Sequence, residues 1–281
     1  MKKYFTLCIV LFVMNAHAQW TQEKGKGYYK IGGWFLEANQ HYTDTGLIDP
    51  NITRGHFISS FYGRYGLSNK LTLVGYLPYT QVYQNAQRFS SGLPSLAGES
   101  FSSLGDIDFG VEYQLWEKNG WAFSTSLILG LPTGDDAGGS DGSYQTGDGE
   151  FNQNLQFNLG KSFPIGKQHF YFKSNLSINQ RSKGYSDEWY FGLETGTKVA
   201  KDKLLLLGRF NTRQSLQNGS LSAVNNNGSI FANNVEVTNL GGEIIYGFYK
   251  VWSVNLTGSF PISGKVIYKA PALSAGIALE L

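Results

Sequence analysis

Asp106 and Asp108 stand two residues apart in a stretch, Leu104 to Trp116, where polar and apolar side chains alternate. On an extended strand such carboxylates share a face about 7 Å apart, a separation that suits the acid and base of glycoside hydrolysis. The alternation itself makes every second residue polar, so the pair arises without any demand from catalysis. Attack by a side-chain nucleophile needs a serine and a histidine in hydrogen-bond reach, with a third group to orient them. Of the four histidines, His17 falls in the leader described below, His41 in a polar connection, and His56 and His169 at the starts of strand-like segments. His56 is followed by Phe57 and Ile58, and His169 by Phe170 and Tyr171, so neither has a serine two positions on, on its own strand face. The segment Thr133 to Gly142 sets Asp135, Asp136 and Asp141 among glycines, with Asp148 and Glu150 beyond. Calcium needs about six to eight converging oxygens, and this spacing is not that of an EF-hand loop; a solvated, turn-rich loop is the simpler reading. Cys8, the only cysteine, lies in the leader, which removes thiol catalysis, disulfides and zinc–cysteine sites from the mature chain. No catalytic residue, metal or cofactor is expected.

A second constellation is a set of charges that alternation places on one face of their segments. The candidates for a solute path are Arg64, Asp106, Asp108, Glu112, Lys173, Glu194, Arg209, Arg213 and Glu243, with Lys30, Glu188 and Lys198 on the same faces. Both signs occur, so they do not make a one-sign selectivity filter. Two readings stand. Either the charges pair and fill a narrow barrel with a hydrogen-bonded network, or they line a hydrated path and orient a solute.

The elements that must position these charges are strands. In Leu104 to Trp116, Ile107, Phe109, Val111, Tyr113 and Leu115 fall on one face and Asp106, Asp108, Glu112 and Gln114 on the other. Phe151 to Gly160, Asp187 to Val199 and Val251 to Ile262 repeat the pattern, with no 3.6-residue period. Twelve such segments can be drawn, at 27–38, 55–67, 70–82, 104–116, 120–131, 150–161, 168–180, 187–199, 203–214, 235–248, 250–262 and 271–281. Each holds the roughly 9–11 residues that a tilted membrane strand needs. The fold predicted is all-β: a transmembrane, antiparallel, up-and-down barrel of about 12 strands.

Connection lengths point the same way. Short ones follow even strands, as at Ser68-Asn69, 117–119, 162–167, 200–202 and Tyr249; long ones follow odd strands, at 39–54, 83–103, 132–149 and 214–234. Tight turns at one end and long loops at the other are the outer-membrane pattern. Aromatic residues flank the short turns (Tyr65, Trp121, Phe163, Phe170, Phe248, Trp252), as an interfacial girdle would. The long loops are rich in Gly, Asn, Ser and Asp and read as solvated and mobile.

Residues 1–18 read as a cleaved leader: Lys2 and Lys3, an apolar run from Tyr4 to Met14, then Ala16-His17-Ala18. Removing these 18 of the 281 residues leaves 263, the barrel domain 19–281. Removing Lys2 and Lys3 from 23 basic residues leaves 21 against 21 acidic ones, so no nucleic-acid partner is expected. The 35 glycines and 42 aromatics (17 Tyr, 19 Phe, 6 Trp) beside only 16% charged residues fit a membrane barrel better than a soluble enzyme.

Two stretches carry a family resemblance. Gly105-Asp106-Ile107-Asp108-Phe109-Gly110-Val111-Glu112-Tyr113 resembles a G-D-hydrophobic-x-x-G-x-x-Y strand, and Gly130-Leu131-Pro132-Thr133-Gly134-Asp135 with Gly147-Asp148-Gly149 resembles a G-x-x-x-P-T-G-D … G-x-G hairpin. Together they are similar to the outer-membrane transporters of the meta-pathway of phenol degradation. The resemblance implies a barrel that passes small, often aromatic or apolar, compounds, in which Gly105, Asp106, Pro132, Gly134 and Asp135 hold strand-end and loop geometry. One departure from general outer-membrane usage is the terminal Leu281, where an aromatic is common. The expectation is a monomeric barrel in the cell outer membrane, with the lipid bilayer and a small-molecule solute as partners. Two alternatives are a closed structural or adhesive barrel acting through its loops, and an outer-membrane hydrolase.

Overall fold

The computed structural model describes residues 21–87, 95–221 and 229–281. The expected leader 1–18 lies outside these residues, as do 88–94 and 222–228 of two expected long loops. Strands are β1 (Gly27–Tyr42), β2 (Ile48–Ser68), β3 (Leu71–Gln84), β4 (Glu99–Leu104), β5 (Ile107–Lys118), β6 (Trp121–Leu131) and β7 (Asn152–Ile165). Then come β8 (Gln168–Arg181), β9 (Glu188–Val199), β10 (Leu204–Ser215), β11 (Glu236–Tyr249), β12 (Trp252–Lys265), β13 (Ile267–Tyr268) and β14 (Ala272–Glu280). All pair antiparallel, and β14 returns to β1 from Leu36↔Ala272 to Tyr28↔Glu280, which closes the sheet. β4 and β5 are one interrupted stave and β13 is a short flap on β1, so the barrel has twelve staves.

Alternation decides which face each side chain takes, and the faces are the reverse of a water-soluble protein's. Ile31, Phe57, Phe109, Leu155, Leu176 and Leu256 point outward and are exposed, while Thr72, Glu112, Ser124, Asn158 and Asn255 point inward and are buried. Buried apolar clusters among the described residues gather at the long-loop end. One joins Leu36, Ala38, Tyr268, Ala270 and Ala272; the other joins Tyr42, Ala232, Val235, Val266 and Ile267. At the opposite end Tyr65, Trp121, Phe248 and Trp252 are exposed, and Phe163 stacks on Phe170 with centroids 6.3 Å apart.

The short turns have the backbone their residues favour. Asn119 and Gly120 both have positive φ (53° and 76°), the pairing that lets a two-residue turn follow the twist of its strands. Three connections differ from their expected lengths, one of them 83–103, whose residues 99–103 belong to β4. The β1–β2 ladder runs on to Tyr42↔Ile48, so most of 39–54 is strand and only 43–47 is turn. The extension is held because Tyr42 packs with Val266 and Ile267 above the barrel rim. Likewise β7 and β8 stay paired to Ile165↔Gln168, which shrinks 162–167 to a two-residue turn.

Candidate functional site

The lumen is the site, and its wall is made by the inward faces of the staves. Register places Lys173, Glu194 and Arg209 side by side on β8, β9 and β10. The Arg209 guanidinium donates from Nε to Glu194 Oε2 at 2.6 Å and reaches Glu243 Oε2 from Nη1 at 2.6 Å. Tyr171 donates to the other Glu194 oxygen at 2.8 Å, Asn255 donates to Glu243 at 2.7 Å, and Lys30 stands 4.0 Å from Glu243. Across the lumen Arg64 pairs with Glu112, whose second oxygen accepts from Ser124 at 2.9 Å. Of the charges expected on this level, Arg64, Glu112, Lys173, Glu194, Arg209 and Glu243 all face inward and are drawn together in mixed-sign groups. Lys198 faces inward nearer the short turns, opposite Leu205. Removing one partner of such an inward pair leaves the other poorly solvated, a loss that approaches about 3–5 kcal/mol for fully buried pairs and is smaller for these part-exposed ones.

Nearer the long-loop end, β3 carries Pro78 opposite the break between β4 and β5. Tyr79 pairs with Leu104 and Tyr76 with Asp108, so three residues (105–107) oppose two (77–78): a bulge. In an antiparallel pair the opposed residues exchange two hydrogen bonds. Gly105 N–H donates to Pro78 O at 2.9 Å, but proline has no N–H to return the bond. The Thr133 hydroxyl replaces it, donating to Gly105 O at 2.7 Å while accepting from Ile107 N–H at 3.1 Å. Asp106, turned inward by the bulge, accepts from the N–H groups of Gly134 (2.9 Å) and Asp148 (2.8 Å). Thr146 donates to Leu104 O at 2.9 Å and accepts from Asp135 N–H at 2.9 Å. A Cβ on Gly147 would lie 2.4 Å from an Asp106 oxygen, and one on Gly134 would lie 2.6 Å from Gly147, so both glycines permit this close approach. Gly105, Asp106, Gly134 and Asp135 therefore tie loop 132–151 to the bulge, and Pro132 leads from β6 into Thr133.

Beside this knot, Arg181 holds three carboxylates. Its Nε binds Glu150, its Nη1 donates to Glu188 at 2.9 Å and its Nη2 to Asp148 at 3.0 Å. Its guanidinium lies 4.2 Å over the Tyr185 ring. Arg213 also binds Glu188, and Tyr190 donates to the remaining Glu188 oxygen at 2.6 Å. Burial pushes the Glu150 carboxyl up to about 7, with Arg181 pulling the other way.

Between this hub and the bulge lies a cavity of about 310 Å³, lined in part by Asp106, Asp108, Asn154, Asn179, Arg213 and Phe231. Its roof comes from a loop expected to be solvated. Ala232, Asn233 and Val235 are buried, and Ile230 packs on the Leu36–Tyr268 cluster. Loop 132–151 is likewise not solvated throughout: Tyr144, Gln145, Thr146 and Glu150 are buried. Ser229 donates to Gln145 at 3.0 Å, joining the two loops over the lumen. Loops without strand periodicity can still fold when side chains satisfy their backbone groups, and here Asp106, Thr146 and Asn233 do so.

The short-turn end holds a feature that carries no period or motif. Thr21 is buried and donates to Gln114 at 2.7 Å, Gln22 N–H donates to Thr72 Oγ1 at 2.7 Å, and Lys24 N–H donates to Asn69 at 3.0 Å. Residues 21–24 thus lie along the inner wall. The absence of a side chain at Gly66 lets them pass, since a Cβ there would meet Glu23 O at 2.1 Å. His56 sits inward between Leu36 and Val82, its ring 5.4 Å from that of Tyr268, and neither ring nitrogen has a hydrogen-bond partner among the described residues. That is the setting of a packing residue rather than of a general base with its nucleophile.

No family model matches the chain, and no curated protein matches it. Solved structures do. An outer-membrane channel from Pseudomonas putida F1 superposes with a TM-score of 0.66 at 12% identity, covering 95% of this chain and 99% of that one. The β domain of the Bordetella autotransporter BrkA gives a TM-score of 0.52 at 14% identity over 92% of this chain and 100% of its own. At such identities the likeness is one of fold, that of outer-membrane β-barrels.

Proposed function

We propose that the chain is exported, loses residues 1–18, and spans the outer membrane as a single copy through which a small solute diffuses without energy input or covalent chemistry. The observation that carries this reading is the inversion of burial: an apolar exterior around a polar lumen that retains a cavity of about 310 Å³. Water covers such an exterior poorly, whereas lipid covers it at little cost. Long loops then face the exterior and short turns the periplasm, with Trp121 and Trp252 at the periplasmic interface. The likeness in fold to outer-membrane barrels supports this placement. The motif resemblance adds a small, often aromatic or apolar, solute. Single-channel recording of the folded barrel in planar bilayers, with solute uptake into liposomes, tests it. Discrete conductance steps and uptake are expected; a folded barrel with neither would sink the proposal.

One set of contacts favours a second reading, a closed barrel acting through its loops. Arg209 bridges Glu194 and Glu243, and Arg64 pairs with Glu112 over the intervening stave β3. Under that reading Arg209→Ala lowers stability and leaves permeability at background. Under the channel reading the same change also alters conductance.

A further inference from the structure

We propose that the cavity under the long loops is a binding site for a small organic cation, an ammonium group on an apolar body. The inference rests on the lumen being a solute path and concerns which solute stops there. Four carboxylates line the cavity (Asp106, Asp108, Asp148 and Glu188) against two guanidiniums (Arg181 and Arg213), a surplus of two negative charges. Three of the four carboxylates are already engaged. Asp106 accepts from two backbone N–H groups, Asp148 binds Arg181, and Glu188 binds both arginines. The Asp108 side chain has no ion pair and no hydrogen bond among the described residues, yet it faces inward between Tyr76 and Gly130.

A second observation is independent of charge. Asn179 lines the same cavity, is only 5% exposed, and its Oδ1 has no hydrogen-bond partner; Asn154 Oδ1, directly across the strand pair, has none either. Buried acceptors without donors are costly, so the wall is arranged for a guest that brings donors. An ammonium brings up to three. Arg213 Nε is the one buried guanidinium nitrogen of the cavity without a hydrogen-bond partner among the described residues. No group of three or more metal-ligating side chains occurs among the described residues, which points away from a bare metal ion.

Beside Thr80, Thr146, Asn152 and two tyrosines, the rest of the lining includes apolar side chains. Ile58 on β2 and Pro78 on β3 stand several staves from Asn179, and Ile230 and Phe231 come down from the loop. A volume near 310 Å³ is at the lower end of small-molecule sites, about ten water volumes. It accepts a compact aliphatic or cyclic body with its charged head at Asp108.

Three probes of one shape separate the head group from the body: cyclohexylammonium, cyclohexanol and cyclohexanecarboxylate, titrated calorimetrically into the folded full-length barrel in detergent micelles. The ammonium is expected to bind about tenfold or more tightly than the alcohol, as a charge-assisted hydrogen bond to a poorly hydrated carboxylate requires, with the carboxylate weakest. Asp108→Asn should bring the ammonium to the level of the alcohol. Equal affinities in the unmodified barrel, tighter binding of the carboxylate, or an ammonium preference that survives Asp108→Asn would each overturn the proposal. The three-probe comparison decides the matter even if the variant does not fold. Because binding is read at equilibrium in detergent, a barrel that binds the ammonium selectively but shows no conductance would sink the channel reading and leave this site standing.

Discussion

The bulge opposite Pro78 makes a quantitative demand on one hydroxyl. Thr133→Val keeps the shape of the side chain and removes only its oxygen. Two backbone groups then lose their partner: Gly105 O, which accepts at 2.7 Å, and Ile107 N–H, which donates at 3.1 Å. No strand neighbour can replace the first, because the opposed residue is a proline that cannot donate. The site is part-exposed, so the lower end of the range for a lost intramolecular bond applies, about 1 kcal/mol each and about 2 kcal/mol together. Thr133→Ser keeps the oxygen and should cost under about 0.5 kcal/mol, as an exposed substitution usually does. Equilibrium urea unfolding of the lipid- or detergent-folded barrel, read by tryptophan fluorescence, measures both. If valine and serine variants lose the same stability, or valine costs nothing, the hydroxyl does not complete the ladder.

Glu150 gives a pH test. Its folded carboxyl is raised to about 7 from an ordinary value near 4.5, so the native state binds the proton more tightly than the unfolded chain does. Stability should therefore fall as pH rises from about 4.5 to 7 and level off above; Glu150→Gln should flatten that slope, and an unchanged slope would assign it to other groups. Gly66→Ala places a Cβ against Glu23 O, which should expel residues 21–24 from the wall and raise single-channel conductance. A conductance equal to that of the unmodified barrel would show that this segment does not narrow the path.

The parts of the fold that were readable in the sequence are those where a local rule acts alone. Ile107 to Leu115 alternates because one face meets apolar surroundings and the other polar ones, and no tertiary contact is needed to see it. Asn119-Gly120 names its own turn. The inward direction of Arg64, Glu112, Lys173, Glu194, Arg209 and Glu243 follows from the same period. Their partners do not, because pairing on the lumen wall depends on the register between staves, as with Arg64 on β2 and Glu112 on β5, which meet over β3. Composition misplaces the covered loops for a related reason. Gly- and Asn-rich composition signals turns, but it does not say that Asp106 and Thr146 will supply the hydrogen bonds that let such a loop fold inward. The run Ile230-Phe231-Ala232 was the visible hint, three apolar residues in a stretch that should otherwise have stayed polar. Residues 21–24 left no hint, since a segment held by isolated backbone bonds to Thr72 and Asn69 has no periodicity to show.

The seam between β1 and β14 has a kinetic consequence. It joins Tyr28 to Glu280 and places Gly32 opposite Gly276, where a Cβ on either would lie 2.8 Å from a backbone oxygen of the facing strand. Every other stave pairs with its neighbour in sequence, so those hairpins close far shorter loops, while this ladder must bring together nearly the whole chain. It is expected to zip last, and pulsed hydrogen exchange during refolding should find the amides of 28–36 protected after those of the β5–β6 hairpin; simultaneous protection would refute this order. Until then the assembling sheet has two unsatisfied edges, and the glycines on them give few side chains to enforce register or discourage a stray partner. The tight apposition that locks the finished barrel is thus also its period of greatest vulnerability to aggregation.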